Sequence, residues 1–241
     1  MRDGYSPTLP TMGTTESGGD DFVQLVIGNK NFSSWSMRPW ALLTHYSLKF
    51  EELRIPLFVD GYQQELQKYS PSLKVPVLID AEPTVWDSLA ICEYLSEQYL
   101  DGKAWPASRQ KRALARSYCA EMHSGFMAIR NHLPMNCRAR RRVELDSTVL
   151  GECQRIDTLW ADARERYGSQ GDYLFGGFSI ADCMYAPMAM RFHTYGVKLS
   201  SLSQQYLEIL LKNPAVNQWR SEAESEAESL PDFEFGHEIQ D

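Results

Sequence analysis

Three serines, Ser33, Ser34 and Ser36, fall within four positions, between an apolar run, FVQLVIG, and a helix-like run, ALLTHYSL. Trp35 and Trp40 lie among and beside them, and Arg38-Pro39 closes the segment. A serine just ahead of a helix has two uses. It can accept a hydrogen bond from a free backbone N–H and cap the helix. It can also donate to an anionic ligand atom, which the positive end of the helix dipole favours. No Gly-x-Ser-x-Gly pattern is present, the nearest stretch, Gly177-Phe178-Ser179, lacking the final glycine. That serine-hydrolase pattern is thus absent, and capping and donation to a ligand both stay open for the cluster. Of the three, Ser36 is expected to cap the helix by its place before Pro39.

Two more stretches carry candidate chemistry. In KVPVLID, Pro76 begins a short strand and cannot donate to a ladder. It is either a trans proline in a turn or a cis proline that leaves the Val75 backbone free to pair with an extended ligand. In WDSLAICEYL, Asp87 and Ser88 stand at a helix start. They read as an ordinary cap, or as a site where Ser88 meets a carboxylate and Asp87 an ammonium. Ser179 and Asp182, by contrast, match a capping box before an apolar run, for which only a structural role is expected.

The elements around these residues change character once along the chain. Residues 1–20 are rich in Gly, Ser, Thr and Pro and are expected to form a disordered tail. Over 21–100 the order reads βαβαββα, one sheet with helices on it. Val23, Leu25 and Ile27 line one face of the first strand, and Phe22 and Val26 the other. A helix is expected from Trp40 to Tyr46 with Pro39 in its first turn. FEELRIPLF is expected as an edge or terminal strand because of Pro56. Residues 101–108, within LDGKAWPAS, read as a linker, and residues 109–241 as all helical. One helix is expected over RQKRALARSYCAEMHSGFMAIRNHL and another over RVELDSTVLGECQRIDTLWADARERYG, with Val149, Leu150, Cys153, Ile156, Leu159 and Trp160 inward. SIADCMYAPMAMRFHTYG is apolar enough to be central. SQQYLEILLKN and PAVNQWRSEAESEAESL complete the helical set.

Composition narrows the function classes. The net charge is −8, which argues against nucleic-acid binding. The basic run Arg138, Arg140, Arg141, Arg142 reads as the exposed turn of a helical hairpin. Cys92, Cys119, Cys137, Cys153 and Cys183 are scattered, with no CxxC pair and no metal-ligand spacing. Buried free thiols in a reducing compartment and no metal are expected. The N-terminus has no basic start followed by an apolar core, and no run is long enough to span a bilayer. The expectation is a cytoplasmic protein without a membrane segment.

Taken in order, SSWSMRPW after the first strand, VPVL with Pro76, DSLAICEYL at Asp87-Ser88 and SIAD in a helical second half resemble the glutathione transferase superfamily over about residues 22–228. The resemblance implies a thioredoxin-like domain followed by a helical bundle. It implies glutathione as co-substrate, a small electrophile as partner and a homodimer. The serine cluster looks most like the zeta class. Aligned on Arg38, Ser33 stands where that class activates the glutathione thiol, Ser34 matches its second serine, and Trp35 replaces its cysteine. Ser34 and Ser36 remain alternative activators. By the same resemblance Val75 and Pro76 would hold the cysteinyl backbone, Asp87 and Ser88 the γ-glutamyl end, and Lys74 would lie near the glycyl end. Arg38 is either a structural helix residue or an electrostatic aid.

The electrophile would then lie between the domains, against the helix carrying Tyr118, Met122, His123, Phe126, Met127 and Arg130. Met122 and His123 read as pocket residues, with Trp35 reaching them. Phe126 is a pocket candidate that, like Met127, also reads as bundle core. Conjugation of the kind used in detoxification is the first reading. A glutathione-dependent isomerase or lyase on the same scaffold, and a non-catalytic binding protein, are its rivals.

Overall fold

Alternation along Val23 to Ile27 requires an extended strand with two apolar faces, and the computed structural model, which describes residues 23–239, contains it. Strand β1 (Val23–Ile27) runs parallel to β2 (Phe50–Arg54) and antiparallel to β3 (Val77–Ile79), which pairs with β4 (Thr84–Val85). The sheet order is β2-β1-β3-β4, so β2 is an edge, as Pro56 implied. Helices α1 (Ser34–His45), α2 (Tyr62–Leu66) and α3 (Ser88–Tyr99) complete a thioredoxin-like βαβαββα unit with a mixed sheet. Val23, Leu25 and Ile27 enter the main core, whereas Val26 packs on the opposite face with Ile55, Leu66 and Val77. Each such side chain contributes about 1.5–3 kcal/mol. The expected tail over residues 1–20 and the facing of Phe22 lie outside the described residues.

The second half is helical: α4 (Arg109–Ser124), α5 (Met127–His132), α6 (Ser147–Tyr167), α7 (Ile180–Tyr195), α8 (Ser201–Lys212) and α9 (Pro214–Glu224). Helix α7 is buried almost throughout and starts at the Ser179/Asp182 capping box. Trp160 of α6 is fully buried among the rings of Tyr185, Phe192 and Tyr206, with centroids 5.8, 5.5 and 5.0 Å away. Helix α1 packs directly on α7, so one hydrophobic core runs from the sheet into the bundle. That continuity fixes the serine segment against helices distant from it in sequence.

Several expected boundaries are corrected. Helix α1 starts at Ser34 and not at Trp40, and Pro39 sits in its interior. Ser36 is therefore not a cap: Ser33 holds the N-cap position, with φ −85° and ψ 85°. The single helix expected from Arg109 to Leu133 breaks at Gly125, which is extended, and Phe126, which is left-handed at φ 62°. A Cβ on Gly125 would lie 2.9 Å from the Glu121 carbonyl oxygen, so glycine fits the break. The carboxylate of Glu152 then accepts the Ile129 N–H at 2.8 Å in the first turn of α5. Helix α6 begins only at Ser147 because Asp146 accepts the Thr148 and Val149 N–H groups. Leu150 and Met127, both read as inward, are 50% and 55% exposed.

The basic run is not a helical-hairpin turn. Arg141–Arg142 form strand β5, paired with β6 (His237–Glu238) from the chain's end. The last helix stops at Glu224 and not at Leu230. Glu222, Glu224, Glu226 and Glu228 crowd that end, and carboxylates oppose the negative pole of a helix C-terminus. The segment after Glu224 folds back instead onto the arginines.

Candidate active site

The turn between β1 and α1 places the serines. The Asn29 carbonyl accepts the N–H groups of Phe32 and Ser33, at 3.2 and 2.8 Å, and the Asn29 side chain accepts the Leu57 N–H at 2.8 Å. Ser33 emerges at the amino end of α1, where backbone N–H groups are unpaired and the dipole is positive. Its Oγ lies 2.7 Å from the Oγ of Ser36, which is fully buried and accepts the Gly28 N–H at 3.2 Å. Either hydroxyl can donate across this pair; when Ser36, whose hydroxyl has no other acceptor among the described residues, is the donor, the Ser33 hydrogen is left to point outward. Ser34 faces the bundle and accepts from the guanidinium of Arg191 at 3.3 Å. The three serines thus occupy three environments: Ser33 at the N-cap, Ser34 against Arg191 and Ser36 buried behind Ser33.

Trp35 is the hinge between this turn and the helical half. Its ring is approached by the guanidinium groups of Arg38, 4.2 Å from the centroid, and Arg130, 4.9 Å away. Its edge meets the His123 ring at 5.3 Å. His123 Nε2 lies 3.0 Å from Asp87 Oδ2, and its Nδ1 is buried with no partner among the described residues. Burial first, and then Arg38 and Arg130, hold the His123 pKa below 6.5 against the pull of Asp87. The shift favours the neutral ring, whose Nε2 lies against the Asp87 carboxylate. The other Asp87 oxygen, Oδ1, caps α3 by accepting the Leu89 and Ala90 N–H groups at 3.0 and 3.4 Å. Asp87 is thus both the cap and a contact of His123.

Arg38 is fully buried and donates to Ser88 Oγ at 3.2 Å, while its Nε finds no partner among the described residues. Arg191, 5% exposed, donates to the Leu133 and Pro187 carbonyls and to Ser34. Arg130 donates to the Gly125 and Met122 carbonyls. Burial and mutual repulsion lower the pKa of Arg38 and Arg191, yet a guanidinium stays charged at neutral pH. Three cations gather around Trp35 and the serines, bonded largely to neutral oxygens, with the Asp87 and Glu152 carboxylates close enough to act on Arg38 and Arg130. Arg191 carried no sequence signal, because 157 residues separate it from Ser34.

Val75–Pro76 is cis, and Val75 is half-buried immediately ahead of β3. Lys74 is exposed, with its backbone N–H and carbonyl both bonded to Ser70 Oγ, at 3.1 and 2.7 Å. Met122 and Phe126 are buried in the main core, 1% and 6% exposed, and Tyr118 bonds Asp162 at 3.1 Å. All five cysteines are buried and unpaired, and burial pushes their thiols up, away from thiolate chemistry. Among the described residues no cluster of His, Cys, Asp and Glu could hold a metal ion, and no helix is long and apolar enough to cross a membrane.

Comparison with known proteins follows the same lines. The family models for the glutathione S-transferase N-terminal and C-terminal domains match residues 32–98 and 119–222. Maleylacetoacetate isomerase of Rattus norvegicus is 30% identical over 174 residues, covering 70% of this chain and 78% of that protein. The Dictyostelium discoideum maleylacetoacetate isomerase is 32% identical over 102 residues, covering 41% of this chain and 47% of that protein. Among solved structures, a glutathione transferase homologue from Burkholderia GL BGR1 with bound glutathione superposes with a TM-score of 0.64 at 26% identity. That match covers 84% of this chain and 98% of the other.

Proposed function

We propose, from the premise that this chain belongs to the glutathione S-transferase family, that it is an enzyme which binds glutathione, holds its thiol as a thiolate and presents it to a small electrophile. The observation that carries the reading is Ser33 at the start of α1, its hydroxyl backed by Ser36 and Gly28. A free thiol has a pKa of roughly 8.5, so a donor and a positive helix end are what a thiol transferase needs at neutral pH. Val75 would pair with the cysteinyl backbone, Ser88 and Asp87 would take the γ-glutamyl end, and exposed Lys74 the glycyl carboxylate. Trp35 and His123 would face the electrophile, with Met122 and Phe126 forming the wall behind them. Assembly as a cytoplasmic homodimer belongs to the same proposal, and sedimentation at assay concentration tests it. The direct test of the reading is a calorimetric titration with glutathione followed by its ultraviolet thiolate absorbance. Absence of both would leave only a scaffold without the function.

A second reading, isomerisation, is favoured by the arginines. Maleylacetoacetate, the substrate named for two relatives, carries carboxylates, and Arg38, Arg130 and Arg191 create a positive field at this site. Trp35 in place of the zeta-class cysteine is a departure from the pattern of that class. Product analysis decides: an isomerase returns glutathione unchanged, and a transferase consumes it.

His123 supplies a pH prediction for either reading. Below its lowered pKa, His123 becomes a cation paired with Asp87 and competes with a ligand ammonium for Oδ2. The KM for glutathione is expected to rise as pH falls from about 7 to about 5, with a shallower rise in His123→Asn. Parallel profiles for the two proteins would remove His123 from ligand binding.

A further inference from the structure

The turn that carries Ser33 is closed from outside the thioredoxin-like unit. The Lys30 and Asn31 N–H groups both donate to one carboxylate, that of Glu226, at 2.7 and 3.0 Å. Glu226 lies just past α9, and its side chain is only 8% exposed. Arg54 at the end of β2 pairs with the same carboxylate at 3.3 Å. The following chain is fastened in turn. Arg138 donates to the Glu226 and Glu228 carbonyls at 2.7 and 2.8 Å, and Asn136 donates to the Phe233 carbonyl at 3.2 Å. The Phe233 ring then packs on Phe32, the residue before Ser33, with centroids 5.0 Å apart.

These contacts complete the hydrogen bonding of the turn. Four successive N–H groups, from Lys30 to Ser33, are satisfied in two pairs: the first by Glu226 and the second by the Asn29 carbonyl. A carboxylate that accepts two backbone donors forms charge-assisted bonds, roughly twice as strong as neutral ones. We propose that Glu226 is a positioning residue for the thiol-activating serine, holding the Lys30–Ser33 turn so that the Ser33 hydroxyl meets a ligand sulfur in register. The proposal rests on the glutathione reading above. It makes the acidic segment after α9 a working part of the site and gives Arg138 the task of holding that segment in place.

The test uses Glu226→Gln in the full chain. Glutamine keeps the shape but offers one acceptor and one donor to two N–H groups, so one bond is lost. In the protein without ligand, amide exchange at Lys30 and Asn31 is expected to rise about tenfold. With glutathione, the bound thiol is expected to titrate at higher pH and kcat to fall about five- to tenfold, with KM for glutathione within about twofold. Glu226→Asp, which keeps the charge but reaches less far, is expected to fall between, and it serves if Glu226→Gln does not fold. Glu228→Gln, which loses only an Arg54 contact, should match the unmodified protein. Unmodified exchange and an unmodified thiol titration in Glu226→Gln would overturn the proposal. If the unmodified protein forms no glutathione thiolate, the glutathione reading falls, and the ligand-free exchange still decides whether Glu226 holds the turn.

Discussion

Replacing Ser33 by alanine is expected to lower kcat/KM for a glutathione-dependent reaction roughly 10- to 100-fold, while the protein stays folded. The magnitude follows from a single hydrogen bond to a charged acceptor, worth about 1.5–3 kcal/mol. The same loss should raise the pKa of the bound thiol by about one to two units, because one unit corresponds to about 1.4 kcal/mol. The change is therefore expected to be largest near neutral pH and to shrink at alkaline pH, where the thiol ionises without help. Ser36→Ala removes the hydroxyl paired with Ser33 but leaves the Ser33 hydroxyl in place, so a smaller loss is expected. Ser34→Ala removes only the contact to Arg191 and should act on the packing of α1 against α7. Thiol titration and the pH dependence of kcat/KM check all three. If Ser33→Ala keeps the activity and thiol pKa of the unmodified protein, Ser33 is not the activator.

The largest expected effect on stability lies elsewhere, at Asp182. Its side chain is fully buried and accepts four hydrogen bonds: from the Leu174 N–H and the Tyr206 hydroxyl at Oδ1, and from the Ser179 N–H and hydroxyl at Oδ2. Asp182→Ala leaves these donors without an acceptor in an interior that water does not reach. The expected cost is about 3–5 kcal/mol, measured as the shift in a denaturant midpoint. Ser179→Ala loses an ordinary cap and should cost about 1 kcal/mol. The pH dependence gives a second readout. Burial raises the Asp182 pKa from 3.8 to about 6 against the pull of its donors. Between those values the native state holds a proton that the unfolded chain releases. This group alone thus makes stability fall as pH rises from about 4 to about 6. Asp182→Asn should flatten that component. A midpoint for Asp182→Ala within error of the unmodified protein would show that α7 does not depend on this carboxylate.

What the amino-acid sequence determined by itself was whatever physics confines to a few neighbouring residues. The capping box at Ser179 and Asp182, the cap at Asp87, the alternation along Val23 to Ile27 and the edge placement of the strand before Pro56 are all set by contacts within one or two turns or one pleat. The ordered set of short motifs carried the family and its thioredoxin-like and helical halves. Helix α1 starts earlier than local propensity implies because Pro39 is tolerated inside a helix that packing on α7 stabilises. The break at Gly125 and Phe126 escaped a periodicity that runs straight through it.

Tertiary structure decided the surroundings of each serine, since those depend on Gly28 reaching Ser36 and Arg191 reaching Ser34. It also turned the basic run from a surface turn into the fastening of the acidic chain end, with Arg138 on the Glu226 and Glu228 carbonyls and Arg141 on Glu234. Partners such as Lys30 and Glu226 are 196 residues apart. A charge run has the same composition whether solvent or an opposite charge covers it. Only the fold, by bringing α9 beside the turn after β1, determines which of the two is present.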